Sequence, residues 1–150
     1  MNLSKAEVHK AVSEELNNRI SRIESSLKSH KEGLLTESNS SAGDKHNTSR
    51  AMMHLEEEKL RNQLSQFSKL NKVLHGINSS KPHEKIGLGS LINTNKGWLY
   101  LSIPLGKVKI ESIDLMIISL ASPIGQVLND KRAGEVFNFN NVNWEITMVL

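Results

Sequence analysis

The sequence predicts an α+β fold: an N-terminal antiparallel α-helical hairpin, then a small, mostly antiparallel sheet with one short helix. Three observations carry that prediction. Apolar residues recur at three- and four-residue steps through the first half of the chain. Short runs rich in Ile, Val and Leu replace them after a polar, proline-containing break. The two helical stretches are joined by a segment of Ser, Asn and Gly.

Helix one begins at Ser4-Lys-Ala-Glu7, a Ser-x-x-Glu capping box in which each side chain meets an otherwise orphan backbone N–H. Val8, Val12, Leu16, Ile20, Ile23 and Leu27 then form one apolar stripe, with Glu, Lys, Arg, Asn and Ser on the other faces, and Leu34 or Leu35 extends it. After Thr36 the composition turns to residues that favour turns. The second stripe starts at about Asn47 and runs through Met53, Leu60, Leu64, Phe67, Leu70 and Leu74 to Gly76. Two helices with one narrow stripe each bury them best against one another, so residues 1–76 form a hairpin with its tip at about 37–47. A monomer is expected, with homodimerisation through the stripes as the alternative.

Residues 77–85, polar and containing Pro82, are expected to be the linker, and residues 86–150 the second domain. Strands are expected at Ile86–Ile92, Trp98–Ile103, Lys107–Ile110, Asp114–Ser119, Gly134–Phe139 and Val142–Val149. Asn140-Asn141 suits a two-residue hairpin turn because Asn tolerates positive φ. Ser122 is a good N-cap, Pro123 fits the first helical position, where no N–H is needed, and Ile124 to Leu128 follow as the short helix.

The absence of cysteine excludes disulfides, zinc-thiolate sites and thiol nucleophiles, and fits a reducing compartment. The first residues lack the apolar core of a signal peptide, and no apolar run approaches the ~18 residues of a membrane span, so a cytoplasmic protein without membrane contact is expected. A net charge of +3 sits on Lys and Arg interleaved with Glu, the pattern of solvated helix faces rather than of a nucleic-acid surface. No Ser-His-Asp arrangement, phosphate-cradling glycine loop or nucleotide motif is present.

Four segments, in order, resemble the Gre family of bacterial transcript cleavage and elongation factors. Gly43-Asp44-Lys-His-Asn47 resembles that family's Gly-Asp-x-x-Glu-Asn tip. Gly89-Ser90 matches the Gly-Ser that opens its C-terminal domain. Ile118-Ser119-Leu-Ala-Ser122-Pro123-Ile-Gly125, with Leu128, resembles its Ile-Ser-x-x-Ser-Pro segment. Gly134-Glu-Val136 and Trp144-Glu-Ile146 resemble its closing strands.

The resemblance implies a coiled-coil hairpin on an FKBP-like C-terminal domain, and RNA polymerase as partner. It implies that Ser119, Ser122 and Pro123 belong to the polymerase-binding surface and that the hairpin enters the secondary channel. The tip then works beside the nascent RNA and DNA of the elongation complex. Asp44 would be a shared ligand of Mg²⁺ supplied at the polymerase active site, with Asn47 its companion, and the chain would have no cofactor of its own. It would be an accessory to another enzyme's chemistry: hard Mg²⁺ wants oxygen ligands, and the attacking water needs activation. The sequence departs from the family at the second acid. Asn47 stands three residues after Asp44, and a one-residue shift would put His46 there instead, so neither alignment restores a carboxylate.

Each candidate also has a purely structural role open to it. Asp44 can cap the second helix, His46 and His54 match no defined zinc spacing, and Met53 suits the stripe, while Met52 stays open. Trp98, Tyr100, Phe137, Phe139 and Trp144 could line an isomerase pocket, the basis of a second functional class, but aromatics on alternating strands more often fill a core.

Overall fold

The computed structural model describes the backbone of residues 3–38 and 44–150 and the side chains of 3–33 and 49–150. The chain forms α1 (Lys5–Ser38), α2 (Asp44–His75), β1 (Leu91–Thr94), β2 (Gly97–Ser102), β3 (Gly106–Ile110), β4 (Ile113–Ser119), α3 (Pro123–Leu128), β5 (Val136–Phe139) and β6 (Val142–Val149). Two compact units divide it: Met1–Glu15 together with Asn71–Leu150, and Leu16–Leu70.

In the first unit the capping box forms as expected. The Glu7 N–H donates to Ser4 Oγ at 3.1 Å, and the Ser4 N–H to Glu7 Oε2 at 3.4 Å. Six strands lie in the order β3-β4-β2-β1-β6-β5. Every neighbouring pair is antiparallel except β2 and β4, which run parallel from Trp98↔Leu115 to Ser102↔Ser119. The sheet is therefore mixed, because β3 turns back onto the outer edge of β4 and leaves β4 to return beside β2. Leu99 and Leu101 face a core that also contains Ile92, Ile118, Leu128 and Ile146. Tyr100, which points the other way, is fully buried and meets His9 of α1, so the first turns of α1 cover the second sheet face.

Asn140 and Asn141 both have positive φ, 51° and 63°, and close the β5–β6 hairpin as the sequence predicts. The first expected strand is corrected. The strand begins only at Leu91, because Gly87 to Ser90 form a turn in which the Gly87 N–H donates to Ser90 Oγ and Gly89 adopts φ 93°. A Cβ on Gly89 would also lie 2.8 Å from Ile77 Cγ2.

The second unit is a two-helix pairing. Arg19, Arg22 and Ile23 share a depression of about 400 Å³ with Gln63, Gln66 and Phe67, and Gly33 faces Met53, so the helices run antiparallel. Their seam is thin. Leu16 is fully buried and Ile23 nearly so, whereas Ile20, Leu27, Leu60, Leu64, Phe67 and Leu70 are only half-buried.

Candidate functional site

Asp44 is the first residue of α2 and Asn47 the fourth, one helical turn apart on the backbone. Their side chains, with that of His46 and all of segment 39–43, lie outside the described residues, as does any contact between Asp44 and a metal. Further along α2, the Arg61 guanidinium donates to Glu57 Oε1 from Nε at 3.1 Å and Nη2 at 2.7 Å. This hydrogen bonding holds the Glu57 carboxyl below its ordinary range. His54 sits 3.9 Å from the other Glu57 oxygen and is largely exposed. Among the described residues no three His, Asp or Glu side chains cluster as a metal site. Met53 packs in the seam, its Cε 2.9 Å from where a Cβ on Gly33 would lie, while Met52 is exposed.

The Ser119–Gly125 segment has a tight local logic. Ser122 Oγ donates to the Ser119 carbonyl at 2.7 Å and accepts the Gly125 N–H at 3.1 Å, so the N-cap hydroxyl ties the end of β4 to the first turn of α3. Gly125 is required by a close approach: a Cβ there would sit 2.2 Å from the Ser119 carbonyl oxygen. With the Ser122 hydroxyl engaged internally, Pro123 and Ala121 are the exposed residues of this turn, beside half-buried Ser119 and Ser122.

The aromatic residues do not converge on one pocket. Tyr100 belongs to the opposite sheet face, and Phe137 stacks on Trp144 with ring centroids 5.9 Å apart. Trp98 and Trp144 do line a groove of about 350 Å³ with Leu99, Met116, Lys107 and Asp114, the last two ion-paired at 3.4 Å. The Trp144 indole N–H is enclosed and lacks a hydrogen-bond partner among the described residues.

Two groups of polar side chains escape sequence reasoning. His9 Nδ1 lies 2.7 Å from the Tyr100 hydroxyl. Burial, then the charge of His75, pushes the His9 pKa down, and burial pushes the Tyr100 pKa up, so the phenol donates to a neutral imidazole. The other group surrounds Lys5, which falls one turn before Val8 on the apolar stripe and is only 7% exposed. A lysine in phase with Val8, Val12 and Leu16 is the signal that could have found it.

The fold and these groups define an α+β protein that couples a helical hairpin to a mixed sheet capped by one short helix. Among solved structures the chain is similar to that of the transcription factor Gfh1, with 20% identity over 93% of this chain and 94% of that one and a TM-score of 0.37. No protein-family model matches the sequence, and no curated protein matches it. A likeness this distant does not assign a family.

Proposed function

We propose that this chain is a Gre-like transcription factor that binds RNA polymerase, inserts its hairpin into the secondary channel and modulates the active centre with its tip. The observation that carries this reading is the hairpin itself: two antiparallel helices of 34 and 32 residues, each about 50 Å long by helical rise, joined by a short segment that runs into Asp44. An acid at that position contributes little to either core and is well placed for delivery into another molecule. The turn at Ser119, Ser122 and Pro123 is the candidate anchor, and its residues are those of the Gre-type segment.

At the tip the donor set is one carboxylate and one amide. Asp44 would hold an oxygen on the polymerase's Mg²⁺, and Asn47 would offer a neutral carbonyl where a second negative charge would bind a hard cation more firmly. Occupancy of the active centre is therefore the stronger activity of this tip, and stimulation of RNA cleavage the weaker. The test adds the purified chain to backtracked elongation complexes. Little shortening of the RNA relative to polymerase alone is expected, with Asn47→Glu creating or raising cleavage and Asp44→Ala removing that gain. Identical behaviour of all three chains would contradict a role for the tip.

A further inference from the structure

The first turn of α1 carries a charge that packing does not explain. The Lys5 ammonium donates to the Lys81 carbonyl oxygen, yet a lysine so deeply buried ordinarily faces a counter-charge. Among the described residues Lys5 forms no ion pair. Lys81 adds further positive charge: it lowers the pKa of Lys5 after burial does, and both lysines lower that of His83. His83 itself is held by Ser90, its Nδ1 2.6 Å from the hydroxyl.

Lys5 lines an open depression of about 450 Å³ with Ser4, Ser79, Lys81, Pro82 and Leu150. The residues that line it carry four kinds of donor. Two are ammonium groups. The third is the backbone N–H of Lys5 and Ala6, which find no acceptor among the described residues, whereas the N–H groups of Glu7 and Val8 are satisfied by Ser4. The fourth is the Ser79 hydroxyl, which makes no hydrogen bond among the described residues. The helix N-terminus adds its partial positive charge, and Pro82 and Leu150 supply an apolar wall.

We propose that this depression is an oxyanion site, which takes a carboxylate or phosphate group with a small apolar body against Pro82 and Leu150. The bound anion supplies the counter-charge that Lys5 lacks. The group could arrive on a free small molecule or on an acidic side chain of a protein, and the probes separate these sources. The proposal is independent of polymerase binding, because no polymerase enters its test.

The intact chain is titrated with inorganic phosphate, butyrate and an end-capped peptide containing one Glu, against chloride at matched ionic strength. Amide NMR shifts and the thermal midpoint are followed. Saturable shifts centred on Lys5, Ala6 and Ser79 to Lys81 are expected, with a midpoint that rises as occupancy rises. Binding of the peptide about tenfold tighter than butyrate and phosphate assigns the anion to a protein side chain, and the reverse order assigns it to a small molecule. Lys5→Met, which keeps the length of the stem, is expected to fold with an equal or higher midpoint without anion and to lose the response. Lys81→Met, at an exposed position, weakens the response several-fold. Absence of saturable shifts with all three probes, or an undiminished response in Lys81→Met, would overturn the proposal.

Discussion

The sheet-bearing unit and the helical hairpin solve the same burial problem to different depths. In the first, two faces of a sheet are covered, and Leu91, Ile92, Tyr100, Leu101, Leu115, Leu128 and Ile146 are fully out of water. In the second, two helices have only one another, and from Ile20 to Leu70 most seam residues stay half-exposed. A sheet with helix on both sides offers each apolar side chain a complete shell, whereas a helix pair offers a stripe one side chain wide. Stability is therefore concentrated where the Ser119–Gly125 turn sits. The hairpin is held by a seam loose enough to tolerate substitution along it.

The sharpest contrast is between two glycines. Gly125→Ala is expected to cost about 3 kcal/mol or more, since its methyl would meet the Ser119 carbonyl oxygen, a backbone atom fixed in the sheet. Gly33→Ala meets only the far end of Met53, and the helix propensity gained, about 1 kcal/mol, offsets the shift of that flexible side chain. Its stability is expected to stay within about 1 kcal/mol of the native chain. Urea denaturation measures both, and similar losses at the two sites would erase the distinction between the units.

A second contrast uses leucines. Leu101→Ala removes a fully buried side chain and is expected to cost about 2–5 kcal/mol. Leu60→Ala, half-buried in the seam, is expected to cost about 1 kcal/mol.

Mild acid provides a smaller and more selective effect, carried by two histidines of the sheet-bearing unit. Burial, then His75, lowers the His9 pKa, and burial, then Lys5 and Lys81, lowers that of His83. The unfolded chain then binds protons more readily than the folded one. The contribution to stability is complete above the ordinary histidine value of 6.5 and is lost as pH falls from there through the depressed folded values. Denaturation midpoints at pH 7.5 and 5.5 should therefore differ, and less so in His9→Gln, which cannot titrate. An equal pH dependence in the two chains would remove His9 from the explanation.

How much of this is legible in sequence follows the same division. Periodicity revealed both helices because each stripe repeats over about five turns or more, and local chemistry revealed the Ser4–Glu7 box, the Ser122 cap and the Asn140-Asn141 turn. Glu111-Ser112, with φ of 48° and 72°, makes an equally tight turn between β3 and β4 from residues that do not advertise positive φ. The parallel pairing of β2 with β4 depends on which strand edge is free, a property that no local pattern encodes. Contacts such as His9 with Tyr100, 91 positions apart, are invisible for the same reason. The Asp44 and Asn47 tip lies outside the described side chains; position at the end of the hairpin and resemblance both pointed to it, and a carboxylate at a helix start also has an ordinary capping role.

Direct binding to core RNA polymerase at low salt tests the functional account most plainly. The intact chain, Pro123→Ala, and a chain whose residues 37–47 are replaced by a short Gly-Ser turn are compared by equilibrium binding to the purified enzyme. The intact chain is expected to bind, Pro123→Ala to bind more weakly, and the tip-replaced chain to bind nearly as well while losing its effect at the active centre. No binding by the intact chain would contradict the account.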